Sequence, residues 1–377
     1  MAAERLAALG ASVQVFDRMP SVGRKFLMAG RGGLNLTHSA PGLPRQYGPA
    51  EAALTPAIRA WDPDALKAWS AGLGQPCFIG SSGRVFPAAF KASPLLRAWL
   101  GHLLSQGVTI HTRHHWLGWD EAGQLRFANG AVVRTDAVVL AMGGASWPRL
   151  GSDGGWVPVL EEAGACVTPL RPDNCGVRRA WSAWFSGRFQ GQPLKRIRAS
   201  CDGDSASGEA MINAAGLEGG VIYALSRAVR RALDRDGFAV LTLDLRPDLS
   251  KEALSQRLGG HGQSLANALR RAGLSAAASG LVRELAEDAP LPERVKAAQL
   301  RVEAVAGLDR AISTTGGVML SGLDERFMLR ARPGVFVAGE MMDWDAPTGG
   351  YLLQASFSTG RHAAEGVMDW LHAQAGL

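Results

Sequence analysis

The segment that most constrains the fold lies near the C-terminus and spans residues 333–367. Its first part, GVFVAGE, is a short apolar run that predicts a buried strand ending in a Gly-acid turn at Gly339-Glu340. A glycine pair, Gly349-Gly350, then opens a helical segment with small residues along one face. Because the backbone N–H groups at a helix start attract negative charge, this order of elements predicts a site for a polar ligand.

The connection between this strand and the helix adds polar side chains. Asp343 and Asp345 lie in the loop, and Thr348 directly precedes the glycine pair. We expect the helix to begin at Tyr351 and to run towards Gly366. Tyr351 and Asp343 are candidate acid–base residues, and a purely structural role for both stays open.

The N-terminal segment shows the second half of a nucleotide-binding unit. Residues 2–9 predict a helix that stops at Gly10, and SVQVFD (12–17) predicts a buried strand ending in an acid. In a dinucleotide-binding βαβ unit the acid at this position hydrogen-bonds a ribose hydroxyl, and Asp17 fits that role. An Asp at a strand end is also a common turn former, so the pattern alone leaves both interpretations open.

The strand and the GxGxxG turn that precede the helix in such a unit are missing from the sequence, which starts at Met1 inside the helix. No displaced copy of this fingerprint occurs further along the chain. We expect Met1 to be a misassigned start or an artificial boundary of a longer protein, because the later ligand motifs are intact. The alternative is a truncated protein that binds no cofactor.

A glycine-rich stretch, GRKFLMAGRGGLNLTHS (23–39), follows the predicted strand. Glycines permit positive φ and close approach of a ligand to the backbone, while cations and short polar side chains suit phosphate and sugar oxygens. The residues with these properties are Arg24, Lys25, Gly30, Arg31, Gly32, Gly33, Asn35 and Thr37. A mobile surface loop is the alternative, but the apolar residues of the stretch argue against it.

The middle of the chain predicts smaller elements. Residues 50–107 are mixed and helical, with GRVFPAAFKAS (83–93) as a turn-rich connection. From residue 107 apolar and polar residues alternate, which predicts a small antiparallel meander with a hairpin turn at Asn129-Gly130. The meander returns to a buried strand within residues 136–144.

A different pattern begins near residue 166 and continues to residue 310. Strand-like pieces alternate with helical stretches, and the part from about residue 248 to residue 305 is rich in Ala, Leu, Glu and Arg. This pattern predicts an inserted domain with a β portion and a helical subdomain.

Composition narrows the functional classes. The chain has 377 residues, 47% of them hydrophobic and 20% charged, which predicts a globular protein of two or three domains. No apolar run of about 18 residues and no leader pattern occurs, so we expect a cytoplasmic protein without a membrane segment. The net charge of +6 is spread along the chain, which favours a solvated face and a phosphate-rich ligand over nucleic acid. The four cysteines lack metal-site spacing, so we expect reduced thiols and no metal.

Three segments together carry a family resemblance. VVLAMGGASWPRLGSDGGW (138–156) resembles the ATG-type strand and turn of FAD enzymes, and residues 333–361 resemble their C-terminal flavin motif. The stretch 23–39 resembles the loop after the second strand in the HI0933-like flavoproteins, the BaiN/RdsA-type NAD(P)/FAD-dependent oxidoreductases. The resemblance covers nearly the whole chain.

The resemblance implies an α/β fold with a glutathione-reductase-like, FAD-binding Rossmann domain that is split in the sequence and lacks its first strand. This domain would comprise residues 1–165 and 311–377, and an inserted β-rich domain with a helical subdomain would comprise residues 166–310.

The resemblance also implies roles for individual residues. Asp17 would bind the adenosine ribose, Trp116 would offer its backbone to adenine, and Glu340 would approach the ribityl chain. The remaining residues implied to bind the cofactor are Arg24, Lys25, Gly30, Arg31, Gly32, Gly33, Asn35, Thr37, Ala141, Met142, Gly143, Gly144, Gly339, Asp343, Thr348, Gly349, Gly350 and Tyr351.

The activity implied is a hydride transfer in which NAD(P)H reduces FAD and an electron-poor C=C bond of a small organic molecule is reduced in turn. NAD(P)H would bind transiently, since a second GxGxxG is absent from the sequence. Where many family members have Arg-Cys-Asn-Leu-Thr, this chain has Gly33-Leu34-Asn35-Leu36-Thr37, so a cysteine-based mechanism is unsupported.

Two alternatives to this activity stay open. One is a flavoprotein that acts on or binds RNA, because flavoproteins that modify tRNA share this architecture and a basic surface. The other is the truncated, cofactor-free protein. The residues leave the catalytic group, the substrate and the oligomeric state undetermined.

Overall fold

The computed structural model describes residues 1–30, 32–259, 264–285 and 288–376. The chain divides into two compact units. The first consists of residues 1–171 together with residues 313–377, and the second consists of residues 172–312.

The first unit opens with short helices and strands. In chain order these are α1 (Ala2–Ala8), β1 (Gln14–Asp17), α2 (Arg24–Ala29), β2 (Thr37–His38), α3 (Glu51–Ala60), α4 (Pro63–Gly72), β3 (Cys77–Ile79), β4 (Arg84–Pro87), α5 (Ala92–Ser105), β5 (Thr109–Thr112), β6 (Trp116–Trp119), β7 (Leu125–Phe127), β8 (Val132–Val133), β9 (Val138–Leu140), α6 (Val157–Glu162) and β10 (Val167–Asp173). Short 3₁₀ helices cover Leu43–Ala50 and Pro148–Leu150.

The second unit contains β11 (Val177–Arg178), α7 (Ala183–Phe189), β12 (Pro193–Cys201), β13 (Asp204–Asn213), β14 (Gly216–Glu218), α8 (Gly220–Tyr223), α9 (Ser226–Asp236), β15 (Ala239–Asp244), α10 (Lys251–Leu258), α11 (Leu265–Arg271), α12 (Ala276–Glu284), α13 (Leu291–Lys296), β16 (Ala298–Val302) and β17 (Ala304–Val305). The chain then returns to the first unit with β18 (Ser313–Val318), β19 (Val335–Val337) and α14 (Tyr351–Ala375), and 3₁₀ helices cover Leu320–Gly322 and Gly339–Met341.

Two pairs of parallel strands organise the first unit. β1 lies beside β5, with Asp17 opposite Thr112, and β9 lies beside β19, with Leu140 opposite Val337. β10 and β18 form a further two-stranded sheet. The sequence prediction that β5 belongs to the antiparallel meander is wrong, because its pairing partner lies about ninety residues earlier and no local pattern specifies it. The strand at β1 is also half-buried rather than buried.

Two small antiparallel sheets complete the β structure of this unit. One has the order β2–β4–β3 and the other the order β6–β7–β8. The turn before β8 contains Asn129-Gly130, as predicted, with Gly130 at φ 85° and the Asn129 side chain accepting the Ala131 N–H. The prediction of a turn-rich connection over residues 83–93 is wrong at β4, which is the central strand of its sheet.

The longest helix, α14, begins at Tyr351 as predicted and continues for 25 residues, well beyond Gly366. It packs against α1 and α3. Its small residues allow close approach, since a Cβ at Gly366 would lie 2.5 Å from the Arg326 Cβ and 2.8 Å from the Phe336 ring. The same crowding explains why the helix carries Gly and Ala on its buried face.

A seven-stranded sheet with the order β16-β15-β12-β13-β14-β11-β17 forms the second unit. Its buried side chains, among them Phe185, Ile212 and Leu281, form one apolar cluster with the surrounding helices. The predicted helical subdomain over about residues 248–305 is wrong at its end, because residues 298–302 alternate buried and exposed and pair with β15. The unit closes on itself where the Ile312 N–H donates to the Asn174 carbonyl at 3.3 Å.

Within the described ranges, no helix combines the length and apolar character that crossing a bilayer requires. The same part of the chain contains no group of three or more His, Cys, Asp or Glu side chains arranged to hold a metal ion.

Candidate functional site

The candidate site lies in the first unit, where the segments that follow β1, β9 and β19 approach the start of α14. In parallel α/β sheets, ligands bind at the carboxyl ends of the strands. The segments after β1 and β19 contribute polar residues that the sequence singles out, and the segment after β9 contributes Ser146 and Ser152.

Glu340 is the centre of the charged part of the site. Its Oε2 accepts a hydrogen bond from Lys25 Nζ at 2.5 Å, and its Oε1 accepts the Thr314 N–H at 2.9 Å. Lys25 also donates to Ser146 Oγ at 2.6 Å. The glycine-rich stretch is therefore joined to the Gly-acid turn, as well as to the segment after β9, by one half-buried ion pair.

The turn after β9 is held by backbone contacts. Thr314 Oγ1 accepts the N–H groups of Ala145 at 2.9 Å and Ser146 at 3.1 Å. Gly144 leaves room for this threonine, since a Cβ there would lie 2.5 Å from it. Trp156 Nε1 donates to the Gly143 carbonyl at 2.9 Å, which fixes the turn from its other side.

In the part of the chain that the structure describes, eight buried side-chain polar atoms have no hydrogen-bond partner, and two of them lie on these segments. These two are Ser152 Oγ and Asn35 Oδ1. A Cβ at Gly143 would lie 3.0 Å from Ser152 Oγ, so a larger residue at Gly143 would crowd this buried hydroxyl. Because an unpaired buried polar atom costs about 1–3 kcal/mol, such atoms in a glycine-lined site fit hydrogen bonding to a polar ligand.

The start of α14 is fixed by the glycine-rich stretch. Gly350 has φ 98°, and a Cβ there would lie 2.5 Å from the Thr37 backbone, so a larger residue would push the two segments apart. Thr37 Oγ1 donates to Gln354 Oε1 at 2.5 Å, and Gln354 Nε2 donates to the Trp61 carbonyl at 2.7 Å. The first N–H groups of α14 thus lie beside the stretch that carries Asn35.

Tyr351, the first residue of α14, stacks on a neighbouring ring. Its ring lies 5.1 Å from that of His38, with an interplanar angle of 13°. Its carbonyl accepts a hydrogen bond from Tyr47 Oη at 2.8 Å. Burial raises the pKa of Tyr351, although the positive charge of Arg84 acts in the opposite direction. The Tyr351 hydroxyl therefore keeps its proton at neutral pH.

Asp17 ends β1 as the sequence predicts. Burial raises its pKa above the ordinary value, against the opposing effects of the Met19 N–H, Arg18 and Arg24. Asp17 Oδ1 accepts that Met19 N–H at 2.7 Å. One face of this carboxylate is therefore used in the turn, which fits the turn-forming interpretation, and the cations beside it also fit a site for a polar ligand.

Several expected site residues have other contacts. A Cβ at Gly30 would lie 2.6 Å from the Ala92 Cβ, so this glycine is explained by packing on α5. Asp343 accepts a hydrogen bond from Thr168 Oγ1 at 2.6 Å, and the Met142 N–H lies 3.0 Å from Met341 Sδ. Trp116 packs edge-on against Trp119 at 4.8 Å.

The other expected residues are placed as follows. A positive φ occurs at Gly33, Gly143, Gly339 and Gly349. Gly32 and Ala141 are exposed, and Thr348 is half-buried. The Arg24 side chain donates a hydrogen bond to Ser21, and Arg31 lies outside the described residues.

The sequence reasoning missed five residues at this site. These are His38, Ser146, Ser152, Thr314 and Gln354. Thr314 begins the TTGG run that the sequence shows before β19, and a polar residue beside two glycines is the signal that could have found it. Gln354 offers the weaker signal of a polar residue on the buried face of an apolar helix.

The parallel strand pairs, the Gly-acid turn and the glycine-opened helix together define an α/β protein with a Rossmann-type nucleotide-binding unit. The family model described as the HI0933-like protein Rossmann domain matches residues 1–366. The chain therefore belongs to the HI0933-like family, and the prediction of this family of flavoprotein oxidoreductases is confirmed.

Individual relatives are more distant. The chain is 24% identical over 383 residues to the 3-dehydro-bile acid delta(4,6)-reductase of Clostridium scindens, which covers 95% of this chain and 93% of the relative. The structure of 3-ketosteroid delta1-dehydrogenase from Sterolibacterium denitrificans is similar at a TM-score of 0.52 and 14% identity, covering 98% of this chain and 97% of that one. A quinol-fumarate reductase structure is similar at a TM-score of 0.51 and 16% identity, covering 100% of this chain and 69% of that one. At these identities the structures support the fold alone.

Proposed function

We propose that this chain is an FAD-dependent oxidoreductase that uses NAD(P)H to reduce an electron-poor C=C bond of a small organic molecule. One observation carries the proposal most directly. Two buried, unpartnered polar atoms, Ser152 Oγ and Asn35 Oδ1, lie on segments that contact the Lys25–Glu340 pair and the glycine start of α14. Membership of a flavoprotein oxidoreductase family supports the cofactor.

The residues present fit a dinucleotide with a flavin ring. Asp17, with Arg18 and Arg24 nearby, would hold the adenosine ribose, and Glu340 would accept hydrogen bonds from the ribityl chain. Ser152 and Asn35 would gain the partners that they lack in the protein alone. Trp116 would contribute backbone groups at the adenine end.

The start of α14 would orient the ring. The N–H groups after Gly350 have no partner within their own helix, and the positive end of the helix dipole attracts negative charge. Gly349 and Gly350 let the helix start pack closely, because a Cβ would lie 3.2 Å from the Tyr351 ring at Gly349 and 2.5 Å from the Thr37 backbone at Gly350. When bound, FAD supplies a hydride that it takes from NAD(P)H and that ends on one carbon of the substrate double bond.

The second carbon of the double bond needs a proton, and Tyr351 is our candidate donor. Its hydroxyl is protonated at neutral pH, and its ring is held by His38. Asp343 is the weaker candidate because Thr168 already donates to its carboxylate at 2.6 Å. Water would return the proton to Tyr351, so the net reaction adds a hydride and a proton to the substrate.

The substrate class rests on a relative. The protein from Clostridium scindens is named as a delta(4,6)-reductase of a 3-dehydro-bile acid. For this chain we propose the chemical class only, a C=C bond conjugated to a carbonyl, since this is the arrangement that accepts a hydride most readily. NAD(P)H would bind transiently.

The test is an anaerobic experiment on the purified protein supplemented with FAD. We expect flavin absorption to remain with the protein after gel filtration, to bleach on addition of NADPH or NADH, and to return when 2-cyclohexen-1-one is added but not when cyclohexanone is added. A protein that retains no flavin, or whose bleached flavin is insensitive to every enone, contradicts the proposal.

The proton-donor role has its own variant. Tyr351→Phe should leave bleaching by the nicotinamide unchanged and slow the return of absorption on enone addition about 100-fold or more, the usual contribution of a general acid. Tyr223→Phe, in the second unit, is the control and should change neither step. An equal effect of Tyr351→Phe on both steps would assign Tyr351 a structural role.

A further inference from the structure

The small sheet β2–β4–β3 carries a row of aromatic and basic side chains on one face. His38 pairs with Arg84, and Phe78 pairs with Phe86. Residues directly opposite each other in an antiparallel pair project to the same side, and so do residues two apart in one strand. These four side chains therefore share one face of the sheet.

Two further rings extend this row at its ends. Phe90 lies 4.9 Å from Phe86 and 6.3 Å from Phe78 between ring centroids, and Tyr351 stacks on His38. Together they form what we call the aromatic face, which consists of Phe78, Phe86, Phe90, Arg84, His38 and Tyr351.

The aromatic face is exposed at Phe78, Phe90 and Arg84, half-buried at His38 and Phe86, and buried at Tyr351. Phe78 and Phe90 are each 44% exposed, while Thr37 and Val85, on the opposite face of the sheet, are fully buried. At β2 and β4 the inner face thus supplies the packing that holds the strands, whereas Ile79 of β3, on the same face, is 53% exposed. The outer rings are in contact with water, and a contiguous exposed apolar surface of this kind usually marks a binding site.

A positive charge accompanies the rings. Arg84 is exposed and forms no ion pair with any carboxylate in the described ranges. His38 Nδ1 accepts the Ala40 N–H at 2.9 Å, so in the neutral ring the proton is on Nε2, which remains a donor. The aromatic face therefore combines stacking surface with a cation and a hydrogen-bond donor at its His38 end.

Both ends of the aromatic face touch the segments that we propose hold the flavin. A Cβ at Gly33 would lie 2.3 Å from the Phe90 ring, and a Cβ at Gly349 would lie 3.8 Å from the His38 ring. Phe90 reaches this position with φ 58°, a backbone conformation that costs energy for a bulky residue. Strain of this kind next to a ligand site is characteristic of functional positions.

We propose that the aromatic face binds the substrate of the proposed reaction, and that this substrate is a flat, apolar ring compound with a carboxylate at one end. The ring system stacks on Phe78, Phe86 and Phe90, and the carboxylate lies near Arg84. The inference rests on the proposed function, because only the flavin site makes this bound molecule a substrate.

A second copy of the chain fits this face less well. A symmetric contact between two copies would bring two aromatic faces together, and this face offers Arg84 no carboxylate because none of its six residues is acidic. A ligand with the opposite charge satisfies both the rings and the cation. Charge complementarity therefore favours the anionic ring compound.

The experiment measures binding without turnover, using two fluorescent probes on the full chain. 1-Pyrenebutyrate carries a flat apolar ring and a carboxylate, and 1-pyrenebutanol carries the same ring without the charge. We expect the acid to bind about fivefold more tightly than the alcohol, as judged by fluorescence anisotropy. Arg84→Gln should remove this preference for the acid, and Phe78→Ser should lower the affinity for both probes about fivefold.

The controls are matched in chemistry and exposure. Arg59→Gln changes an exposed arginine on α3, and Trp184→Ala changes an exposed aromatic residue of the second unit that is 45% exposed. Neither should alter the binding of either probe. Phe78 is exposed, so Phe78→Ser should keep the melting temperature and leave the binding result interpretable.

Two outcomes overturn the inference. In one, Arg84→Gln and Phe78→Ser leave both affinities unchanged. In the other, light scattering shows that Phe78→Ser converts a dimer into a monomer without affecting the probes, which would assign the face to a second copy. Loss of the proposed function alone, seen as a protein that retains no flavin, would leave probe binding at this face intact.

Discussion

At the scale of single residues, the carboxylate at the end of β1 is placed at an energetic cost. Burial raises the pKa of Asp17, so its ionised form is less stable in the folded protein than in the unfolded chain. A carboxyl group with a raised folded pKa weakens folding as the pH rises through the interval between its unfolded and folded pKa values. Below that interval the group is protonated in both states and the cost disappears.

We therefore expect Asp17→Asn to raise the melting temperature near neutral pH and to have little effect at about pH 3. Asparagine keeps the acceptor for the Met19 N–H, so the turn is preserved. If Asp17 binds ribose, the same variant should weaken FAD binding. Thermal melts over a pH series, together with flavin titration, test both effects.

Asp153, in the same unit, has a pKa that is lowered instead of raised. Burial alone would raise its pKa, but the Gly155 N–H and Arg18 lower it overall. Asp153→Asn should therefore lower the melting temperature at neutral pH, with the difference vanishing as the pH falls through the lowered pKa. Equal behaviour of the two variants would contradict the assigned environments.

The Lys25–Glu340 pair should be worth more than a surface pair. Lys25→Gln leaves the half-buried Glu340 with a poorer partner, and we expect a loss of about 1–2 kcal/mol. Lys67→Gln breaks an exposed pair with Asp64 of similar length, and should cost less than about 0.5 kcal/mol. Urea denaturation of both variants measures the difference, and equal losses would show that burial adds nothing.

At the scale of secondary-structure elements, the start of α14 depends on a glycine. Gly350→Ala should cost about 3 kcal/mol or more, because φ 98° disfavours alanine and its Cβ would meet the Thr37 backbone at 2.5 Å. Gly107→Ala is the matched control, with φ 80° and no atom within 4 Å, and should cost about 1 kcal/mol. Denaturation curves of the two variants, followed by flavin titration, check the prediction.

The elements that the sequence predicted correctly are those with local causes. β19 ends before Gly339, which has φ 72°, and α14 begins at Tyr351 directly after the Gly349-Gly350 pair, so glycines determine the local backbone at both boundaries. The pairing partner of β5 was predicted incorrectly, since only the tertiary structure places this strand beside β1. β16 was missed for a related reason, because its alternating pattern is short and follows helix-forming sequence.

The candidate site shows the same division. The pairing of Lys25 with Glu340 joins two residues that separate motifs had singled out. Thr314 and His38 were missed because their importance comes from contacts with segments far away in the sequence, the turn at Ala145 and the ring of Tyr351. The cofactor roles of all these residues stay predictions.

At the scale of the whole molecule, the division into two compact units leads to a prediction about where the flavin binds. Every residue that we propose for the cofactor lies in the first unit, within residues 1–171 and 313–377. Replacing residues 172–312 by a flexible linker of about four residues should preserve flavin binding. Gel filtration with absorption detection tests this, and a soluble, folded product without flavin would contradict it.

The second unit closes through a hydrogen bond between Asn174 and Ile312, so the chain enters and leaves it at neighbouring points. For protein evolution, a segment with adjacent ends is one that recombination can insert or exchange without rerouting the parent chain. Because the aromatic face lies within residues 1–171 and 313–377, chimaeras that carry the corresponding segment of a distant relative should keep the probe preference of this protein.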